Sequence, residues 1–154
     1  MMTGLNIARI AMLIALLGFV LPWVLVSCAG EPVGRLSGVD LATGGALQSR
    51  HDDPNLWVAL SLAAVVVGIV ASLLRAGRGA IVALAVAAVV ALIASAIGVA
   101  NVSSKMLGGP ERSQPSGAVG GVDLQYGYVI TVAGLLAAIG ACGAALGGRE
   151  RSPP

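Results

Sequence analysis

The chain has 154 residues, 57% of them hydrophobic and only 10% charged, with a formal net charge of +2. Soluble domains carry about 25% charged residues, so a water-soluble globular fold is excluded, and the lack of a basic cluster argues against nucleic acid as a partner. The apolar residues are gathered into four blocks, Ile10 to Val26, Leu56 to Leu74, Ala80 to Ala100 and Val129 to Leu146, none of which contains Asp, Glu, Lys, Arg or His.

Each block approaches or exceeds the roughly 20 helical residues that cross about 30 Å of hydrocarbon. The blocks are continuously apolar and rich in Ala and Leu, whereas barrel strands alternate apolar and polar residues. The expected fold class is therefore all-α. It is an integral membrane four-helix bundle in a single domain covering 1–154, with helices near 6–26, 56–74, 79–100 and 127–147. Outer loops rich in Gly and Pro are expected near 27–55 and 101–126.

In the first helix, Pro22 falls one turn before the outer end and is expected to bend it. Leu25-Val26-Ser27-Cys28 also fits a bacterial lipoprotein signal, whose cleavage would leave a lipidated Cys28 and three spans. The long apolar run and the Pro22-Trp23 pair favour a helix that is retained.

The first outer loop is punctuated by Gly30, Pro32, Gly34, Gly38, Gly44, Gly45 and Pro54, which argues for turns. Gly38-Val39-Asp40-Leu41-Ala42-Thr43-Gly44 aligns with Gly121-Val122-Asp123-Leu124-Gln125-Tyr126-Gly127 in sharing G-V-D-L-x-x-G, a pattern that suggests two helix hairpins related by duplication. Asp40 and Asp123 are expected to cap a following short helix or turn, with recognition of a ligand or partner as the alternative. His51-Asp52-Asp53 reads as solvated loop, because adjacent side chains do not converge on one ion. Neither a metal site nor a cofactor site is expected.

Helices two to four carry small residues at spacings of four: Ala64, Gly68 and Ser72, then Ala83, Ala87, Ala91 and Ser95, then Gly134, Ala138 and Cys142. Such lines share one helix face and let backbones approach closely in lipid. Asn101-Val102-Ser103 matches the glycosylation acceptor pattern next to the membrane.

Arg75 and Arg78 lie in the short turn between the second and third blocks, and Arg9, Arg149 and Arg151 lie near the two ends. This places the turn and both termini in the cytoplasm of a multi-pass cell-membrane protein. All aromatic residues, Phe19, Trp23, Trp57, Tyr126 and Tyr128, then lie towards the outer face. Trp23, Trp57, Tyr126 and Tyr128 are expected to anchor at the headgroup level.

Ionisable residues inside a membrane are functional suspects, and the four blocks have none. The chain is accordingly read as a non-enzyme. Ser61, Ser72, Ser95, Thr131 and Cys142 are expected to be packing residues bonded to backbone. Cys28 and Cys142 fall near opposite membrane faces, beyond disulfide reach. The expected function is a non-catalytic accessory or scaffolding subunit of a larger membrane complex. The alternatives are a small transport or channel component, or an envelope ligand-binding or sensor protein acting through its outer loops. Partner membrane subunits or further copies of the chain, together with lipids, are the expected partners.

Overall fold

The computed structural model describes residues 3–28, 31–44, 54–74, 77–107 and 121–147. In chain order the elements are α1 (Thr3–Val20), β1 (Pro22–Cys28), β2 (Glu31–Ser37), α2 (Gly38–Thr43), α3 (Leu56–Leu74), α4 (Arg78–Leu107), β3 (Gly121–Leu124) and α5 (Tyr126–Gly147). Among the described residues, α3, α4 and α5 are each long and apolar enough to cross a membrane, and α1 is a shorter apolar helix. The protein is thus a multi-pass helical membrane bundle.

The first helix stops at Val20 rather than continuing to residue 26. Pro22 has no N–H to continue the helical ladder, and its ring disfavours helical backbone at Leu21. The next residues, Trp23-Val24-Leu25-Val26, are aromatic, β-branched or long apolar types that suit a strand. They form the centre of a three-stranded antiparallel sheet of order β2-β1-β3. Leu25 faces Arg35 on one side and Asp123 on the other. The helical bundle expected from the sequence therefore carries, in addition, a small sheet that the sequence reading does not include. α4 also runs past residue 100 to Leu107.

The two G-V-D-L copies fold differently. Gly38–Thr43 is the short helix α2, whereas Gly121–Leu124 is the edge strand β3. Ser37 caps the first copy into a helix, while the second pairs with β1.

The long helices form an up-down ring. α1 packs most extensively along α5 and α3 along α4, and contacts of α4 with α5 and of α1 with α3 close the circle. Small residues make the close approaches possible. A Cβ on Gly134 would lie 2.9 Å from the Ala11 carbonyl oxygen and the Ala15 nitrogen, and one on Gly68 would lie 2.5 Å from the Ala87 Cβ. Ala8, Ala11, Ala15, Ala88, Ala91 and Ala138 are likewise buried, around larger core side chains such as Met12, Val65, Leu84 and Leu135.

The polar residues inside the ring bond to backbone. Ser61 Oγ donates across to the Ala91 carbonyl at 2.8 Å, tying α3 to α4. Ser72 and Ser95 donate within their own helices to the carbonyls of Ile69 and Leu92. Thr131 Oγ1 lies 2.9 Å from the Gly127 carbonyl and 3.4 Å from that of Ala15. In hydrocarbon, backbone carbonyls are the cheapest available acceptors for such hydroxyls.

Opposite the sheet is an end marked by arginines. The Arg9 guanidinium donates to the carbonyl of Ser72 in the last turn of α3, where helical carbonyls lack partners of their own and a cation is favoured. Arg78 begins α4 at the same end and is exposed.

Candidate recognition cap at the sheet end

The sheet and α2 cover the end of the bundle formed by the C-terminus of α1 and the first turns of α3 and α5. Every aromatic residue of the chain lies at this end. Their surroundings divide them into two groups.

Trp23 is completely buried. Its ring lies 4.6 Å from that of Phe19, tilted by 42°, and meets Tyr128 edge-on at 5.4 Å. Its indole nitrogen donates to the Gly18 carbonyl at 2.9 Å, an acceptor that also takes the Leu21 N–H at 3.2 Å and whose usual helical donor would be Pro22, which has no N–H. Gly38 lies flat against the indole, and a Cβ there would approach Cε2 to 2.7 Å. Trp23 is therefore a core plug rather than the headgroup anchor expected of it. Once the chain turns over the bundle end after Val20, its side chain points inward. Tyr128 is half-buried against it. Trp57 and Tyr126 remain exposed, at 41% and 53%, in the first turns of α3 and α5, the positions an interfacial ring would occupy.

Asp40 is the third residue of α2 and completes a capping box. The Asp40 N–H donates to Ser37 Oγ at 3.1 Å, and Asp40 Oδ2 accepts from the Ser37 N–H at 3.0 Å and from its hydroxyl at 2.7 Å. The carboxylate thus caps from within the helix, in the geometry where two orphan donors are satisfied reciprocally. Gly44 closes α2 in the left-handed region, at a φ of 73°. Asp123 stands in β3 opposite Leu25. Its side chain lies outside the described residues, as do the Cys28 side chain and all of His51-Asp52-Asp53. The two aspartates do not occupy equivalent backbone positions.

Sequence reasoning missed Asn55. It is the N-cap of α3: its Oδ1 accepts from the N–H groups of Trp57 and Val58 at 3.2 and 3.4 Å. Its Nδ2 donates to the Gly98 carbonyl on α4 at 3.0 Å, and its own N–H donates to Leu41 of α2 at 3.0 Å. One side chain and its backbone therefore bind three helices together. The signal was present as an Asn immediately before an apolar helix, but the partners on α2 and α4 are not readable from spacing. A further tie comes from the Gln125 N–H, which donates to the Trp23 carbonyl at 2.8 Å and fastens the start of α5 to β1.

Among the described residues no cluster of three or more His, Cys, Asp or Glu could hold a metal ion. Asn101-Val102-Ser103 lies within regular helix, in α4. Cys142 is buried in α5 towards the arginine end, far from β1, which carries Cys28. Comparison of the chain with protein-family models, curated proteins and solved structures found no match.

Proposed function

We propose that the protein is a non-catalytic accessory or scaffolding subunit of a larger membrane complex, built on four crossings with both termini in the cytoplasm. The observation that supports this reading is the way the cap is bonded to the bundle end. The Trp23 indole ties β1 to the end of α1, the Asn55 N–H ties α2 to the start of α3, and the Ser37–Asp40 box fixes the start of α2. A surface held in this way offers a partner a fixed shape without ordering costs on binding.

The fourth crossing is α1. Its 18 residues rise about 27 Å, of which the uncharged run beyond Arg9, Ile10 to Val20, supplies about 16 Å, so that β1 and its cap complete the crossing. It runs beside α5 from Gly4, next to Ala145, to Gly18, next to Thr131. Four crossings put both termini on one side, and the basic residues near the helix ends favour the cytoplasm for that side. Retention of α1 also suits the fold, since cleavage before Cys28 would remove the main partner of α5 and most of the central strand. The two hairpins are not proposed as a duplicated pair, because the repeated tetrapeptide is helix in one copy and strand in the other.

The test is purification from native membranes in mild detergent, followed by mass measurement of the intact assembly. Another membrane protein present in fixed stoichiometry, and lost when exposed cap residues such as Trp57 and Tyr126 are changed to Ala, is the expected result. A homogeneous monomer or homo-oligomer would oppose the reading, and solute flux through that species after reconstitution would favour a transport component.

A further inference from the structure

Between α3 and α4, on the outer face of the bundle, runs an apolar groove of about 820 Å³. It begins at Leu74 and Arg78 at the arginine end and finishes at Ala64 and Val90. Its lining is apolar apart from Arg78 and backbone, with Gly68 in the floor and Val86 on the rim. Arg78 is exposed, and among the described residues no acid or carbonyl accepts from it.

We infer that this groove is a binding site for one anionic phospholipid, with an acyl chain lying along the outer seam where α3 and α4 meet and the phosphate held by Arg78. Length selects this occupant. Ala64 to Leu74 spans about 15 Å of helix and Arg78 to Val90 about 18 Å, which matches a single leaflet, half of the roughly 30 Å hydrocarbon layer. A transmembrane helix from a partner or a second copy would need a groove along the whole bilayer. Here the lining stops at Ala64 and Val90, short of the Ser61–Ala91 and Asn55–Gly98 bonds that tie α3 to α4. Charge selects the headgroup. An unpartnered guanidinium at the mouth of an apolar channel complements a phosphate at the membrane surface, with which arginine makes strong forked hydrogen bonds. The volume falls in the range of about 300–1,000 Å³ typical of small-molecule sites. The inference holds whichever side of the membrane the arginine end faces.

Native mass spectrometry of the full-length protein, with phosphatidylglycerol or phosphatidylcholine of identical chains added to the detergent, tests it. One phosphatidylglycerol is expected to be retained in preference to phosphatidylcholine. Arg78→Gln is expected to weaken retention about fivefold, and Arg78→Lys to restore part of it. Val86→Trp, which fills the groove from its exposed rim, is expected to abolish retention with Arg78 intact, and unchanged thermal unfolding in detergent confirms that each variant is folded. Equal retention of the two lipids, or binding unaffected by both Arg78→Gln and Val86→Trp, would overturn the inference. So would displacement by millimolar inorganic phosphate, which would mean that the groove contributes nothing. A second copy of the chain or another protein occupying the groove, released by Val86→Trp, would overturn it as well.

Discussion

The indole nitrogen of Trp23 donates to the carbonyl of Gly18, closing the end of α1 with a residue that also fills the space beneath the sheet. One side chain thus caps the last turn of the helix that Pro22 stops, and joins the membrane bundle to its cap. Trp23→Ala removes both functions and is expected to destabilise the protein by about 3–5 kcal/mol. Trp23→Phe keeps much of the packing and loses the hydrogen bond, a smaller effect of about 1 kcal/mol beyond the lost volume. Thermal unfolding in mild detergent separates the two, and equal losses would show that packing alone matters.

Glycines provide an internally controlled test of helix packing. Gly68→Ala and Gly134→Ala insert a methyl group where 2.5 and 2.9 Å are available, and overpacking of this kind costs about 1–3 kcal/mol. On the same helix as Gly134, a Cβ at Gly140 or Gly143 would meet nothing within 4 Å. Gly140→Ala and Gly143→Ala are expected to stay within about 0.5 kcal/mol of the parent. Equal sensitivity at all four positions would contradict the helix pairing described above.

Asn55→Ala removes the α3 cap and the bond to Gly98 together. The expected cost is about 1–2 kcal/mol, accompanied by faster amide hydrogen exchange at Trp57 and Val58, whose N–H groups lose their acceptor. Asn55→Asp preserves the cap acceptor but cannot donate to the carbonyl, so the exchange protection should survive it while part of the stability is lost.

The membrane helices were legible because their signal is local. Continuous apolar runs from Leu56 to Leu74 and through α4 and α5 determine both helix and environment without reference to the rest of the chain. Pro22 was legible as a disturbance, but its consequence was not. A bend within a helix and the end of one differ only in what the following residues find to pair with. For Val24, Leu25 and Val26 the partners are Leu36, Arg35 and Gly34 nearby and Leu124, Asp123 and Val122 about a hundred residues away. The same long-range pairing explains why Asp40 and Asp123 look alike in sequence and stand in different backbone. Sequence alone puts Trp23 on the surface of the bundle end, because an aromatic residue at a helix end reads as interfacial until the chain is seen to fold back over it.

If α1 and β1 belong to the mature fold, the purified protein retains the residues before Cys28. Intact mass measurement should show a chain that has not been cut between Ser27 and Cys28 and carries no diacylglyceryl group. A mass corresponding to a lipidated Cys28 amino terminus would remove α1 from the bundle and reduce the crossings to three.

Whether α1 crosses the membrane as the fourth member of the ring is decided by which side each helix end faces. Single cysteines at Asn6, Thr43 and Arg78, all exposed, introduced after replacement of Cys28 and Cys142 by Ser, can be probed with a membrane-impermeant maleimide on intact cells and again after permeabilisation. The account predicts that Thr43→Cys reacts from outside, while Asn6→Cys and Arg78→Cys react only once the membrane is opened. Labelling of Asn6→Cys from outside together with Thr43→Cys, with Arg78→Cys still protected, would show that α1 does not cross and would contradict the four-crossing bundle.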